Sequence, residues 1–426
     1  MSLVLQAREK RAQHITELMK EYKYKTIVVL KLNVPGANKN QNRLKFISNL
    51  YDSFIKREFI DKIKHKGEVK SIDGDYVYYV VEEEGNVVKE KTILIEEENS
   101  LGKLVDIDVY NKTSITREDV QCEMRKCLIC NNYSHVCVRN QTHTHEELFH
   151  KIDEITEEYL FDYILNKAIK GINCELNLYP KFGLVSARDS GSHTDMNFQT
   201  FVNSIYAIKP YLKEFILYGL SDIEDPIKLK EIGIRAEKAM FNATNNINTH
   251  KGLIFIMGIF LPVMSRAIRN NYGILFIKKE IIKIGELIIG DYYDNISIKK
   301  TLSHGDKIYL NYGIKGIRGE VLNGLSLIYE IPSYKNKQII NIHHEYLTYL
   351  MSELDDTTII HRNDIETLNE VKETMKNVVK DGGYSNNIAL VENISNQYKK
   401  RNISPGGSAD MLVVKIIFEE LKYLLK

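Results

Sequence analysis

The chain has 426 residues, of which 43% are hydrophobic and 27% charged, and its formal net charge is +1. This length exceeds what most single domains hold and predicts two domains, while the composition is that of an ordinary soluble globular protein. Because the net charge is near zero, the chain lacks the basic surface that nucleic-acid binding requires, and we expect no nucleic-acid partner.

The residues before position 150 predict an α+β domain. Helices are expected at Ser2–Tyr22 and Asn40–Lys64. Runs rich in β-branched and aromatic residues predict strands at Thr26–Leu32, Tyr76–Val81, Val87–Ile95 and Leu104–Tyr110. The turn-like sequence Glu84–Asn86 between the two middle runs predicts a hairpin.

The pattern changes within residues 145–175, after which apolar spacings of three and four predict helices nearly throughout. Asp153–Lys170 is expected to be the first helix of this second domain. We therefore predict an α+β N-terminal domain, residues 1–150, followed by a mainly all-α C-terminal domain, residues 151–426.

Nothing in the sequence predicts secretion or a membrane span. The N-terminus is charged and amphipathic, and the five cysteines do not suggest a disulfide scaffold in so long a chain. The longest apolar run, Leu253–Met264, is shorter than the ~20 residues that a bilayer requires and predicts a buried helix. We expect a cytoplasmic protein without a membrane partner.

Two acidic residues in the first domain suit a divalent cation. Asp106 and Asp108 lie two apart in LGKLVDIDV, and alternation along a strand places both side chains on one face. Two carboxylates on one face can share a cation such as Mg²⁺. The alternative is an exposed strand edge that carries two acids.

A cysteine-rich segment, RKCLICNNYSHVCVR, follows at Arg125–Arg139. Cys127 and Cys130 form a C-x-x-C pair, and Cys137 with His143 could complete a zinc site. The unequal spacing and the apolar residues between the first two cysteines favour a buried structural cysteine cluster instead.

In the second domain, Gly183–Phe201 gathers charged side chains around small turn-forming residues, just before a predicted helix. The charged members are Arg188, Asp189, His193 and Asp195. Thr194 or Ser192 is expected to cap the helix. Such a turn offers backbone N–H groups to an anion and carboxylates to a cation, which suits a phosphorylated, metal-bound substrate. The alternative is that Asp195 only complements the helix dipole.

Polar segments, most of them containing glycine, recur at the ends of apolar helical stretches. They are Asn245–Gly252, which follows a helix carrying Glu237, then Ser303–Gly305, Gly316–Glu320, Glu353–Arg362 and Ser404–Met411. The last is expected to open a final amphipathic helix that continues through Leu425. A plain helical core would not need His, Asp and Arg repeatedly beside Gly.

These motifs resemble two known families. The blocks RDSGSHTDM, EKAMFNATNNINTHKG, SHG, GIRGE, LDDTTIIHR and SPGGSADM are similar, in order, to the triphosphoribosyl-dephospho-coenzyme A synthase family. The first half resembles the apo-citrate lyase phosphoribosyl-dephospho-coenzyme A transferase family in NVPGANK, LGKLVDIDV, SITRED and RKCLICNNYSHVCVRNQTH. The chain looks like a natural fusion of the two enzymes.

The resemblance implies a synthase step that joins ATP and 3′-dephospho-coenzyme A and releases adenine. It supports the positions of the motif residues, and their roles are inferred from residue type. Asp189 and Asp195 would handle magnesium or ribose, with Asp355, Asp356 and Asp410 as further candidates. His193 and His250 are the expected acid and base, and Glu237 and Glu320 would orient the ribose or activate the hydroxyl. The expected phosphate-binding cations are Lys251, Arg188, Arg318 and Arg362. From the residues alone, Glu320 and Asp410 could instead cap helices.

A transferase step should then attach the product to a serine of the acyl-carrier (gamma) subunit of citrate lyase and release pyrophosphate. Asp106 and Asp108 fit the metal role, and Lys31, Arg117, Arg125 and Arg139 fit the phosphate role. Two alternatives stay open. The first half could serve only as a carrier-binding module, or the acidic helical pocket could belong to a nucleotide hydrolase.

One departure from the synthase pattern concerns a turn. Where that family commonly has two glycines before NTH, this chain has Asn245 and Asn246. Asparagine tolerates positive φ better than most residues, so the turn is expected to survive.

Overall fold

The computed structural model describes residues 3–36, 38–332 and 339–426. Ser2, the first residue of the predicted N-terminal helix, and Ala37, within the NVPGANK motif, lie outside these ranges. The chain divides into two compact units. The sheet unit comprises Met1–Asp162, Ile268–Asn271 and Tyr423–Lys426, and the helical unit comprises Tyr163–Ala267 and Tyr272–Lys422.

The sheet unit is built on an antiparallel five-stranded sheet with the order β2-β3-β1-β4-β5. The strands are β1 (Thr26–Leu32), β2 (Ile63–Val69), β3 (Tyr76–Val81), β4 (Val105–Asn111) and β5 (Thr113–Ile115). The helices of this part of the chain are α1 (Leu3–Glu21), α2 (Lys45–Glu58), α3 (Gly85–Glu97) and α4 (Ser134–Asn140). The predicted α+β class is confirmed.

The central strand β1 sets the position of the two acids. Its first five residues are fully buried, since the strand is covered on both faces. It pairs with β4 so that Lys31 lies opposite Asp106 and Val29 lies opposite Asp108. In β4 buried and half-buried residues alternate, and Asp106 and Asp108 occupy the half-buried face, as predicted.

The predicted strand at Val87–Ile95 is wrong, because these residues belong to helix α3 and no hairpin forms there. The Glu84 side chain accepts hydrogen bonds from two backbone N–H groups and caps the helix, instead of forming a turn. Val88, Thr92 and Ile95 are buried at helical spacing. β-branched composition favoured a strand, but the tertiary packing of this face decides the structure.

The predicted helix Asn40–Lys64 is also longer than the real one. Helix α2 covers only Lys45–Glu58, and the chain then enters strand β2. Most residues of β2 are exposed or half-buried, as expected for an edge strand with charged side chains. Such a strand has no apolar pattern to reveal it.

The residues from His145 to the C-terminus are mainly helical, which confirms the second half of the fold prediction. The helices are α5 (His145–Leu176), α6 (Phe198–Leu220), α7 (Pro226–Ala243), α8 (Lys251–Asn270), α9 (Ile274–Ile289), α10 (His304–Tyr312), α11 (Ile317–Leu322), α12 (Leu327–Glu330), α13 (Ile339–Glu353), α14 (Thr357–Arg362), α15 (Ile365–Lys380), α16 (Ile388–Lys400) and α17 (Gly406–Leu421). The predicted first helix, Asp153–Lys170, is part of α5.

Helix α8 contains the predicted buried helix Leu253–Met264. Among the described residues it alone is long and apolar enough to cross a membrane, yet 78% of its apolar window is buried inside the protein. It packs closely against α6, since a Cβ on Gly219 would lie 2.3 Å from the carbonyl oxygen of Pro262. This burial identifies α8 as a core helix of the unit.

Two predicted helix ends are wrong. Helix α6 is capped by Asn197, with Thr200 completing the capping box, rather than by Thr194 or Ser192. Ser192 has other partners, because its hydroxyl donates to the carbonyl of Ile403 at 2.6 Å. The final helix α17 ends at Leu421 and is buried on nearly all sides rather than amphipathic.

Candidate active sites in the two units

The sheet unit contains a cavity of about 930 Å³. Its lining includes Arg117 and Arg125, which the sequence predicted, and Lys39, Lys103 and Glu96, which it did not single out. Lys39 belongs to the NVPGANK motif, so the motif offered a signal for it. The cavity therefore combines several cations with an open interior.

Asp106 and Asp108 lie beside this cavity rather than in its lining. The Lys31 ammonium group is between them, 3.5 Å from a carboxylate oxygen of Asp106 and 2.7 Å from one of Asp108. Arg125 lines the cavity and donates to Asp106 at 2.7 Å, so it joins the two features. Lys31, expected to bind phosphate, is instead the present counterion of the acid pair.

Glu96 organises the two arginines. Its side chain is only 3% exposed, binds Arg117 at 2.7 Å and also forms an ion pair with Arg125. One oxygen accepts the backbone N–H of Ile107 at 2.8 Å. A buried carboxylate with this many donors is a fixed anchor, which holds both guanidinium groups at the cavity. The structure leaves Arg139 exposed on α4 and outside the cavity lining.

The predicted cysteine cluster forms, and His143 joins it. The possible ligand atoms of Cys127, Cys130, Cys137 and His143 all lie within 4.8 Å of one another. The backbone N–H of Asn132, followed by the side chains of His143 and Cys137, lowers the pKa of the Cys130 thiol to about 6. Three of the four residues also line the cavity, the exception being Cys130.

The helical unit contains a second cavity, of about 300 Å³, lined by residues from most of the polar segments noted in the sequence. Among the residues predicted for the site, those in the lining are His193, Glu237, His250, Lys251, Arg318 and Asp410. They come from the ends of separate helices and from the loop before α6, so the fold gathers motifs that lie far apart in the chain.

His250 is a buried, neutral histidine at the start of α8. Its Nδ1 lies 2.6 Å from the Ser204 hydroxyl, to which Thr249 also donates at 2.8 Å. Burial, followed by the positive charge of Lys181, lowers the pKa of His250 to about 3. At neutral pH the imidazole is therefore uncharged and can accept or donate a hydrogen bond without a charge.

His193 is held by the loop before α6. Its Nε2 lies 2.8 Å from the Ser404 hydroxyl, and its Nδ1 lies 3.7 Å from the Asp195 carboxylate. Arg362 is 3.3 Å from the same nitrogen and donates to the carbonyl of Ser192 at 2.7 Å. Burial, then the arginine charge, lowers the pKa of His193 to about 4.

A buried ion pair that the sequence did not reveal lines the same cavity. The Lys181 ammonium group lies 2.6 Å from the Glu175 carboxylate, and both side chains are at most 6% exposed. Lys181 also donates to the carbonyl of Val185 at 2.8 Å. Burial raises the pKa of Glu175 and lowers that of Lys181, while each charge favours the other.

Asp410 lies within α17 and does not cap it. Its carboxylate packs against Gly252, where a Cβ would lie only 2.1 Å from Oδ2. Part of the side chain reaches the cavity, but the surrounding protein raises its pKa well above 3.8 by burial, with smaller effects from Glu175 and Asp356. The protonated form of this carboxyl is therefore favoured more than that of an ordinary, exposed aspartic acid.

Asp356 has a capping role. It is the N-cap of α14 and accepts from Thr358 N–H at 3.0 Å. The same carboxylate accepts from the backbone N–H groups of Gly407 and Ser408, at 3.2 and 2.8 Å, in the first turn of α17. One buried side chain therefore holds two segments of the cavity wall.

Several predicted residues do not line this cavity. Asp189 binds Lys399 at 2.6 Å, Asp355 binds Lys372 at 2.6 Å, and Arg188 stacks on a tyrosine ring. Glu320 is largely buried in α11, where one carboxylate oxygen has no hydrogen-bond partner. Burial, followed by repulsion from nearby acids, raises its pKa to about 7.

Asn245 and Asn246 have φ values of +52° and +63°, as the sequence predicted for this turn. The carboxylates of the helical unit do not form a ready-made metal cluster. Within residues 3–36, 38–332 and 339–426, the cysteine and histidine cluster is the one group of three or more such side chains close enough to share an ion. A magnesium ion in this unit would need phosphate oxygens as further ligands.

Comparisons with known proteins agree with this division of the chain. The apo-citrate lyase phosphoribosyl-dephospho-CoA transferase family matches residues 1–159, and the ATP:dephospho-CoA triphosphoribosyl transferase family matches residues 162–426. Protein CitXG of Leuconostoc mesenteroides subsp. cremoris is 29% identical over 453 residues, which cover 98% of this chain and 96% of the relative.

One further relative matches nearly the whole chain, and another matches only part of it. Protein CitXG of Haemophilus influenzae is 28% identical over 447 residues, covering 98% of this chain and 95% of the relative. The 2-(5''-triphosphoribosyl)-3'-dephosphocoenzyme-A synthase of Haemophilus ducreyi is 31% identical over 323 residues, covering 69% of this chain and all of the relative.

The fold, the two cavities and these matches define a transferase with two parts. The chain belongs to the ATP:dephospho-CoA triphosphoribosyl transferase family, fused after a domain of the apo-citrate lyase phosphoribosyl-dephospho-CoA transferase family.

Proposed function

We propose that the chain makes the prosthetic group of citrate lyase from ATP and 3′-dephospho-CoA and attaches it to a serine of the acyl-carrier subunit. Residues 1–150 would carry the transfer and residues 151–426 the synthesis. The observation that carries the proposal is the cavity of the helical unit, which residues from separate family-like motifs line together. A cytoplasmic location would suit these substrates.

In the synthase step, the ribose 2′-hydroxyl of dephospho-CoA attacks C1′ of the ATP ribose. A C–O bond forms, the bond from C1′ to the adenine nitrogen breaks, and the triphosphate stays on the transferred ribose. The hydroxyl proton goes to a base, while adenine leaves with a proton from an acid. As adenine departs, C1′ gains positive charge. A nearby carboxylate stabilises this charge.

Asp410 is the best candidate for the acid. Burial raises the pKa of Asp410, which favours its protonated form, and the side chain reaches the cavity. Glu237 is the candidate base or ribose ligand, because its carboxylate lines the cavity and pairs with Lys251 at 3.1 Å. His193 and His250, both held neutral, would bind and orient the substrates.

The triphosphate would bind to the cations at the cavity. Lys251 begins α8, so its charge adds to the positive end of a long helix dipole. Arg318 is fixed by stacking over the Tyr292 ring, 4.4 Å from the ring centre. Arg362 would act through His193 rather than from the cavity lining.

A smaller, largely apolar cavity of about 200 Å³ adjoins the 300 Å³ cavity of the helical unit. The two share Glu237, Phe255, Tyr292 and Arg318. An apolar extension next to a cationic cavity fits a substrate with a phosphate at one end and a long, weakly polar arm at the other. Dephospho-CoA has this form, which supports it as the acceptor.

In the transferase step, the serine hydroxyl of the carrier would attack the phosphorus nearest the ribose of the bound group and give up its proton to a base. The bond from that phosphorus to the departing pyrophosphate would break. Arg117 and Arg125, both fixed by Glu96, would neutralise the phosphate charge. Asp106 and Asp108 would hold Mg²⁺, an ion that neutralises transferring phosphates, with Lys31 giving up its place between them.

The proposal is tested by mass spectrometry of the purified chain after incubation with ATP, magnesium, dephospho-CoA and apo acyl-carrier subunit. Adenine, pyrophosphate and a carrier heavier by the phosphoribosyl-dephospho-CoA unit are expected. Adenine with an unmodified carrier would reduce the first half to a binding module. Free triphosphoribose without dephospho-CoA would indicate a hydrolase, and the absence of adenine would refute the synthase step.

The acid is tested separately with Asp410→Asn, which keeps the shape but removes the proton. Adenine release should fall by about 10²–10⁴-fold. Asp294→Asn serves as the control, because Asp294 is exposed and lies outside the cavity lining. Equal losses in the two variants would contradict the assignment.

A further inference from the structure

The segment Cys122–His145 of the sheet unit lines much of the large cavity, yet it has little regular structure. Beyond the seven-residue helix α4, its backbone pairing is one isolated bridge between Lys126 and Tyr133. Many of its side chains are exposed. Such a segment buries little apolar surface, so hydrophobic packing alone gives it little stability.

The four side chains at its centre have the geometry of a metal site. The sulfur atoms of Cys130 and Cys137 are 3.5 Å apart, and His143 Nε2 is 3.4 Å from the Cys130 sulfur. Around a tetrahedral zinc ion with ordinary bond lengths, ligand atoms lie about 3.5–3.8 Å from one another. These two separations are close to this spacing, and all the ligand atoms of the four side chains lie within 4.8 Å of one another.

The backbone is arranged to support sulfur as a negatively charged ligand. The N–H of Ile129 points to the Cys127 sulfur at 3.5 Å, and the N–H of Asn132 donates to Cys130. Each of these two cysteines thus receives a backbone donor from two residues further along the chain. Hydrogen bonds from backbone N–H groups stabilise thiolates, the form in which cysteine binds metal.

The chain also turns so that the fourth ligand returns to the first three. Helix α4 supplies Cys137, and Gln141 then adopts a left-handed conformation with φ of +49°. Thr142 N–H bonds back to the Cys137 carbonyl at 3.0 Å, which directs His143 towards the cluster. A left-handed conformation is costly for a residue other than glycine, so this turn indicates that the position of the His143 side chain matters.

We propose that Cys127, Cys130, Cys137 and His143 bind one structural zinc ion that fixes the wall of the sheet-unit cavity. Three sulfur ligands and one imidazole fill a tetrahedral zinc site and leave no position for substrate. The ion also fixes Arg125, which lies two residues before the first ligand. The backbone carbonyl of Arg125 accepts a hydrogen bond from the Ser134 N–H at 2.9 Å. Its guanidinium group reaches Asp106.

The zinc content of the purified full chain tests this directly. Elemental analysis should find about one zinc per chain. Cys130→Ser and Cys137→Ser should lose most of it, whereas Cys122→Ser and Cys174→Ser, which change cysteines outside the cluster, should retain it. Zinc absent from the unmodified chain, iron in its place, or a Cys130–Cys137 disulfide in peptide mass spectra would each overturn the proposal.

Cobalt provides a test that does not depend on whether a variant folds. Replacing zinc in the unmodified chain with Co²⁺ should give the visible bands of tetrahedral cobalt and near-ultraviolet thiolate-to-cobalt bands. An octahedral spectrum without thiolate bands would refute the site.

An activity measurement extends the test and rests on the proposed function. Removing the metal should lower carrier modification at least about tenfold while adenine release is unchanged. If neither activity exists in the loaded protein, the proposed function fails but the zinc measurements stand. Equal transfer rates with and without metal would overturn the role in fixing the cavity wall.

Discussion

Replacing Glu320 by glutamine should change how the stability of the helical unit depends on pH. Glu320 is largely buried, one of its oxygens has no hydrogen-bond partner, and burial raises its pKa to about 7 from the ordinary value of 4.5. Because the folded state holds this proton more tightly than the unfolded state, the free energy of unfolding falls as pH rises from about 4.5 to 7. Glutamine has no such proton to lose.

The magnitude follows from the two pKa values. Deprotonation of Glu320 lowers the free energy of unfolding by about 0.8 kcal/mol at pH 5 and about 3.3 kcal/mol at pH 8. Glu320→Gln should therefore gain about 2.5 kcal/mol relative to the unmodified chain between these two pH values. Any constant cost of burying an amide cancels in this difference.

Urea unfolding followed by circular dichroism at pH 5 and pH 8 measures this difference. Glu373→Gln is the matched control, since Glu373 is exposed on α15 and its removal should give the same stability change at both pH values. If Glu320→Gln and the control behave alike, the carboxylate is ionised throughout, and the reasoning from burial is wrong.

Other variants test the cavity contacts. Gly252→Ala places a Cβ 2.1 Å from the Asp410 carboxylate and should lower adenine release about 100-fold with an unchanged circular dichroism spectrum; normal release would show that this carboxylate need not be fixed. Glu175→Gln leaves the Lys181 charge buried without its partner and should cost about 3–5 kcal/mol in urea unfolding, part of which Lys181→Met should restore. Arg139→Gln should leave carrier modification unchanged in the mass assay, because this side chain is exposed and outside the cavity lining; a large loss would place it at the carrier surface.

The sequence predicted the class of each half, and several of its candidate residues line the cavities, but it did not predict the local details. Glycine-bearing polar segments marked His250 and Asp410, because residues of this chemistry at helix ends are unusual in a plain core. The strand predicted at Val87–Ile95 failed because β-branched composition does not distinguish a strand from a helix whose buried face is decided by packing.

The partners of the site residues could not be read from the chain. Glu96 lies 21 residues from Arg117 in an ordinary helical pattern, and nothing local shows that its carboxylate binds two arginines. Glu175 likewise occurs within the long helix α5, where a single acid is typical of a solvent-exposed face. Burial of such groups becomes visible only when the tertiary packing is known.

Asp356 has a consequence for how the cavity of the helical unit could open. Since its carboxylate binds backbone N–H groups at the start of both α14 and α17, separating these helices would strip hydrogen bonds from two helix ends at once. The cavity wall formed by the starts of α14 and α17 should therefore stay rigid. Entry and exit of substrates should therefore depend on motion of other parts of the cavity wall.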